Sequence, residues 1–162
     1  MSLIFTVEIE IMALAWKSSW TGKECRIFRE KLIVGLLKTN LWRGDAYGEL
    51  YGHILVFKPL GFWKNSTEIF DINKTNKLGK IEYNWWKSSA IITYQDEVFE
   101  WKYDSWTRKS WTVNGGDDQA HFKKISHWRN EGIIENEDIP APIILSALYV
   151  QGYFLRATAA AS

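Results

Sequence analysis

Hydrophobic and polar residues alternate with a period of two along most of this chain. Phe5, Val7, Ile9 and Ile11 alternate with Thr6, Glu8 and Glu10, the pattern of a strand with one wet face. Phe99, Trp101 and Tyr103 oppose Glu100 and Lys102, and Trp111 and Val113 oppose Arg108, Ser110 and Thr112. The same reasoning predicts strands over Glu24–Glu30, Lys31–Lys38, Glu49–Lys58, Thr67–Ile72, Gly79–Trp85, Ala90–Gln95, Val98–Asp104, Thr107–Val113 and Gln119–Ser126. Ile133 and Ile134 add a short last strand. Leu32 to Leu37 is nearly all apolar and is expected to be covered on both faces. Gly52 reads as a bulge or close approach inside a single strand. Between these runs lie turn signals. Trp16 to Lys23 is turn-rich, Asn40 to Gly48 forms a loop around Arg43-Gly44-Asp45, and Pro59, Gly61 and Asn65 break the chain. Hairpin turns fall at Asn73–Lys77, Asp96-Glu97 and Asn114–Asp118.

The alternation stops at Ile139. From there to Arg156 the chain reads IPAPIILSALYVQGYFLR, apolar at all helical angles, with Gln151 as its strongly polar exception. Asn136, Glu137 and Asp138 suit a helix N-terminus, Pro140 and Pro142 a first turn, and Arg156 the C-terminal end. A helix over about 140–157 follows, and an all-round apolar helix must be surrounded by protein or lipid. A membrane span needs ~20 apolar residues, whereas a run of ~10–14 suits a core helix. This run is of the shorter kind and carries Gln151, so no transmembrane span is expected. Losing it should unfold the protein. About ten to twelve strands at hairpin spacing, then one buried helix, predict a mainly β single domain over 1–162: an antiparallel closed barrel enclosing the C-terminal helix.

Composition narrows the function classes. The chain has 162 residues, 46% of them hydrophobic, enough for one filled core. Twenty basic residues against 19 acidic ones give a net charge of +1, which argues against a general nucleic-acid binder. Ten tryptophans within 15% aromatic content favour strands. Cys25 is the only cysteine, consistent with a reducing compartment. The start MSLIFTVEIE has neither a basic leader nor a continuous apolar stretch. A cytoplasmic protein, membrane-peripheral if it meets lipid, is expected.

Reactive constellations are hard to find. His53, His121 and His127 have no metal-ligand spacing. No Gly-x-Ser-x-Gly elbow and no phosphate-cradling glycine loop is present. Gly115-Gly116-Asp117-Asp118 lacks the ordered ligands of a calcium loop and reads as a turn. We therefore expect no enzyme, no metal and no cofactor. What stands out is tryptophan beside lysine or arginine: Phe62-Trp63-Lys64, Trp85-Trp86-Lys87 and Trp106-Thr107-Arg108-Lys109. Such pairs can hold an anionic headgroup at a lipid interface. The candidate ligand-binding residues are Trp63, Lys64, Trp86, Lys87, Arg108 and Lys109. The plainer alternative puts the tryptophan in the core and the lysine in water on an amphipathic strand, and the near-zero net charge favours it. Trp-Lys-Ser-Ser occurs twice, at Trp16–Ser19 and Trp86–Ser89, as two related half-barrels or coincidence would leave it.

Phe70-Asp71-Ile72 leading to Leu78-Gly79-Lys80-Ile81, then Trp86-Lys87, then Val98-Phe99-Glu100-Trp101 and the helix from Pro142 to Arg156 together resemble the tubby-like barrel superfamily. It comprises tubby C-terminal domains, LURP-one-related proteins and phospholipid scramblases. The resemblance implies a twelve-stranded barrel around a hydrophobic helix. It also implies a non-enzymatic binding module for a membrane-lipid headgroup, a phosphoinositide or an anionic phospholipid. A small apolar ligand inside the barrel, or a protein partner, is the alternative. The chain lacks the cysteine-rich segment and acidic calcium loop of scramblases and a clear tubby phosphoinositide motif.

Overall fold

A computed structural model describes residues 13–61 and 65–161. The strand expected over Phe5–Ile11 and the candidates Trp63 and Lys64 lie outside the described residues. Twelve strands follow one another: β1 (Leu14–Ser18), β2 (Glu24–Arg29), β3 (Leu32–Thr39), β4 (Ala46–Leu50), β5 (His53–Pro59), β6 (Ser66–Phe70), β7 (Lys77–Asn84), β8 (Ser89–Tyr94), β9 (Glu97–Tyr103), β10 (Ser110–Gly115), β11 (Asp118–Lys124) and β12 (Glu131–Glu137). Each pairs antiparallel with its neighbours in sequence, and β1 pairs with β12 to close the barrel. One helix, α1 (Ala141–Ala161), follows.

Four local expectations are corrected. Trp16 sits within β1 rather than in a turn, because its indole is fully buried over the β1–β12 pair. The expected strand Glu49–Lys58 joins the end of β4 to β5, and Ala46–Gly48, expected in a loop, belong to β4, since Tyr51 and Gly52 both have positive φ (49° and 79°) and reverse the chain in two residues, a primed hairpin turn. Leu32 and Ile33 are exposed, at 71% and 57%, so β3 is not covered on both faces. β12 is a full seven-residue strand, because pairing with both β1 and β11 holds residues whose sequence lacks clean alternation.

The inward positions of the strands carry the large apolar residues. Trp16, Ile27, Leu50, Phe57, Ile69, Ile81, Ile92, Trp101, Trp111, Phe122 and Ile134 are all buried. The helix fills the space they enclose. Positions 143–151 are buried without a break, and α1 packs against β4, β5 and β8. By length and hydropathy it could also cross a membrane, but its apolar half is inside the barrel. Its rings interlock with those of the wall. Tyr149 stacks on Phe57 at 4.5 Å, Tyr153 on Tyr83 at 3.8 Å, and Phe154 on Trp101 at 5.3 Å. Trp101 Nε1 donates to the Ala147 carbonyl at 3.1 Å, and Tyr149 Oη to the Gly44 carbonyl at 2.8 Å.

The buried Ser146 and Gln151 side chains of the helix are both met. Ser146 Oγ donates back to the Pro142 carbonyl. The buried Gln151 amide forms a reciprocal pair with Asn130: Gln151 Nε2 donates to Asn130 Oδ1 at 2.8 Å, and Asn130 Nδ2 donates to Gln151 Oε1 at 3.0 Å. Asn130 also accepts from Trp16 Nε1 and donates to Ser18 Oγ. The helix start differs from expectation. Asn136 lies in β12, where its side chain accepts from Ile139 N and donates to Ile139 O across the turn. The helix runs on to Ala161, which leaves Arg156 short of the last turn.

Asn130→Ala strands both hydrogen-bonding groups of buried Gln151, and we expect it to cost ~2–4 kcal/mol in urea unfolding. Gln151→Leu in the same background should recover part of that loss, because an unpaired amide is then no longer buried. A double variant as unstable as the sum of the singles would contradict the pairing.

Candidate functional site

In a closed meander every odd-to-even connection lies at one end and every even-to-odd connection at the other. The two ends of this barrel are built differently. The connections at 30–31, 51–52, 95–96 and 116–117 have two residues each, and only 71–76 is longer. In that one, Asp71 accepts from the backbones of Thr75 and Asn76 and closes the loop on itself. The other end carries connections of four to six residues, at 19–23, 40–45, 60–65, 85–88, 104–109 and 125–130. The helix enters at the tight end, after β12, and emerges among these wider loops.

Four described wide loops hold their one tryptophan in solvent, and the 85–88 loop holds Trp86 there while Trp85 packs against the helix. Trp20, Trp42, Trp86, Trp106 and Trp128 are 92%, 98%, 100%, 91% and 91% exposed, although burial is where most large apolar residues go. Leu41 and Ile125 are exposed beside them. Charge is sorted along the same axis. The described wide loops bring Lys23, Arg43, Lys87, Arg108, Lys109 and Arg129 against Asp45 and Asp104. The tight end brings Glu30, Asp71, Asp96, Asp117 and Asp138 against Lys31 and Lys74. A near-neutral chain is thus cationic and aromatic at one rim and acidic at the other.

The wide rim is laced together. Ser18 N donates to Asn130 O, Thr39 N to Lys23 O, Tyr83 N to Asn65 O and Lys124 N to Lys109 O. Trp85 Nε1 donates to Asn65 Oδ1, while Arg108 donates to Ser88 Oγ and to Thr158 Oγ1 on the helix. Inside the rim lies a cavity of about 640 Å³ between the helix, the 19–23 loop and the 125–130 loop. Cys25, Leu37 and Leu148 line its inner wall. Burial pushes the Cys25 thiol up to about 12, with a smaller opposing effect from Ser18. Burial likewise raises Tyr149 and Tyr103 to about 12 and Tyr83 well above the usual phenol value. A thiol held protonated is a poor nucleophile.

On the outer wall, Thr112 Oγ1 lies 2.6 Å from Asp104 Oδ1 and 3.0 Å from His121 Nδ1. The hydroxyl has one proton and an ionised carboxylate can only accept it. His121 Nδ1 is therefore the donor to Thr112, and it also lies 3.4 Å from Asp104 Oδ2. Among the described residues, no group of three or more His, Cys, Asp and Glu could hold a metal.

Trp86, Lys87, Arg108 and Lys109 all lie on adjacent wide loops and are exposed. The amphipathic-strand alternative fails for them, since both members of the Trp86-Lys87 pair point into solvent from a turn. Sequence reasoning missed Trp20, Trp42, Trp128, Arg43 and Arg129 on the same rim. Their signal was available: Trp20, Trp42, Trp63, Trp86, Trp106 and Trp128 recur every 20 to 23 residues, each with a lysine or arginine within three positions. That is the length of one hairpin unit. The Trp-Lys-Ser-Ser echo, by contrast, is not structural: Trp16 is buried in β1, whereas Trp86 is a loop tip.

Comparison with protein-family models, with curated proteins and with solved structures finds no match to this chain.

The buried thiol and phenols make a pH prediction. Each folded-state pKa is raised above its unfolded value, near 9.0 for the thiol and 10.0 for the phenols, so the folded protein holds these protons more tightly. Their stabilising contribution is complete below pH 9.0 and is lost as pH rises towards about 12. Urea midpoints should fall across that window, and Cys25→Ala should remove its earliest part. Native Cys25 should also resist thiol reagents at mildly alkaline pH and react on unfolding; prompt reaction of the native thiol would contradict its burial.

Proposed function

We propose that this protein is a non-enzymatic module that docks peripherally on anionic membranes, with the wide rim of the barrel as its membrane face. The observation that carries this reading is the ring of solvent-exposed tryptophans, each beside a cation, confined to one end of the barrel. Indole rings suit the headgroup region because they join a large apolar body to a polar N–H. Each lysine or arginine near an anionic surface contributes about 1 kcal/mol, so the net cationic excess of the rim is worth on the order of 4 kcal/mol. The acidic opposite rim orients the molecule, since it is repelled by the same surface. Trp86, Lys87, Arg108 and Lys109 are the contact residues proposed from both sequence and geometry. Trp20, Trp42, Trp106 and Trp128 extend them around the rim. The kinship to tubby-like barrels expected from the residues of the strands and the helix belongs to the same proposal.

Sedimentation with phosphatidylcholine vesicles, with and without phosphatidylserine, tests it. Binding should require the anionic lipid and weaken as salt rises, because exposed charges are screened beyond ~10 Å at 0.1 M salt. Trp42→Ser with Trp106→Ser should lower the partition coefficient at least roughly tenfold, the loss of ~1.4 kcal/mol of ring burial. No sedimentation at any lipid composition, or an unaltered partition in the double variant, would remove the proposal.

A further inference from the structure

Arg156 is the unusual cation of the mouth. Its guanidinium folds back along α1 towards the barrel interior, 5.7 Å over the Tyr149 ring. Gly152, one helical turn earlier, makes room for it: a Cβ there would stand 3.1 Å from Arg156 Nη1. Nη2 is buried and has no hydrogen-bond acceptor. No carboxylate among the described residues lies within ion-pair distance of it. A guanidinium stays charged at any ordinary pH, and a buried donor with no acceptor is costly. The arrangement calls for an acceptor that the described residues do not supply.

The cavity that Arg156 lines fits such an acceptor. Lys124 and Arg129 line it too, against a single carboxylate, Glu131, while Lys17 borders it with its ammonium turned 5.8 Å over the Phe28 ring. Trp20 and Trp128 flank its entrance from the two loops. Its volume, about 640 Å³, lies within the range of small-ligand sites. A forked guanidinium with further cations around it matches a group with several anionic oxygens better than a single carboxylate. The apolar inner wall suits the carbon skeleton attached to that group.

We infer that the mouth cavity is a binding site for a phosphate monoester, with Arg156 as the residue that grips the phosphate. This deepens the proposed membrane reading and rests on it for the source of the ligand, an anionic lipid headgroup presented at the rim. The rim then senses charge, while the cavity distinguishes one anionic headgroup from another.

The test uses the full chain and two arms. In the first, phosphatidylcholine vesicles carry either phosphatidic acid or phosphatidylserine at equal mole fraction. Wild-type protein should prefer phosphatidic acid by about tenfold, the worth of a charge-assisted hydrogen bond. Arg156→Lys keeps the charge but loses the fork, and should abolish the preference by bringing phosphatidic acid binding down to the phosphatidylserine level. Trp42→Ser with Trp106→Ser should weaken both vesicles equally. In the second arm, glycerol phosphate should raise the melting temperature of the wild type and leave Arg156→Lys unchanged. A glycerol phosphate response without any vesicle binding would support the cavity with a soluble ester as its ligand, and would sink the membrane reading alone. If neither arm distinguishes Arg156→Lys from the wild type, the cavity assignment is overturned, whether or not the rim binds lipid. Arg156→Lys must unfold at the wild-type urea midpoint; Arg156→Gln, carried through both arms, provides the check if it does not.

Discussion

The barrel and its helix exist only in each other's presence. A sheet of twelve strands that closes on itself removes its exposed edges, but it encloses more space than its own side chains fill. The helix occupies that space, and no other described part of the chain could. An apolar helix with buried residues at every angle has, in turn, no stable place in water. Because the dependence is mutual, the backbone polar groups of both partners are committed. Strand groups go to neighbouring strands and helix groups to the helix, with Trp101 and Tyr149 tying one to the other. The polar exception, Gln151, is tolerated because Asn130 matches both its donor and its acceptor. That pair also fixes the helix in depth and rotation, since a shift by one residue would leave two amides buried and unmet.

This constraint reaches the surface through connectivity. Twelve is an even number, so the chain leaves β12 at the end where the tight turns lie, and the helix must pass through the barrel to the other end. Its last turns arrive among the wide loops, where Thr158 receives Arg108 and Tyr153 and Phe154 meet Trp85. The rim is therefore supported from beneath by the same element that fills the core. Loops that carry exposed tryptophans would ordinarily invite collapse onto one another. Here the hydrogen bonds between adjacent loops and the helix end fix each loop in place.

Much of this was legible in the residues. Where one face of a strand is core and the other water, as in Phe99-Glu100-Trp101-Lys102-Tyr103, alternation is enforced and the strand can be read directly. The helix was legible because nothing but enclosure explains its composition. What could not be read was the placement of residues whose environment is set by distant partners. Trp16 looks like part of a turn-rich stretch until β12 is laid beside it. Leu32 and Ile33 look like core until they are found at the open side of a hairpin. The Tyr51-Gly52 turn was hidden because tyrosine rarely takes a positive φ, and only the pairing of β4 with β5 imposes it. At the rim, local reading found tryptophan beside lysine but tied it to strands, because a strand pattern and a loop tip offer the same dipeptide. The regular spacing of the six tryptophans distinguishes them, and that regularity is visible only when the whole chain is aligned on its hairpins.

The rim tryptophans set a question that stability alone does not answer. Serine or asparagine would serve a turn of four to six residues better than indole, and the five described loop-tip rings contribute almost no burial to the fold. Had they been needed to fill the core, the large rings of Trp16, Trp101 and Trp111 show that the interior accepts them. Had they been incidental, they would be scattered over both ends and the strand faces. Instead the described ones share the end where the cations gather and where the helix delivers Arg156, whose Nη2 has no partner among the described residues, to the mouth cavity. Exposed apolar surface and a buried unmet donor each cost free energy, and positive charges gathered at one end repel one another. The membrane surface proposed as the partner, apolar below and anionic at its boundary, would relieve all three, and the barrel turns the end that bears them away from its acidic one.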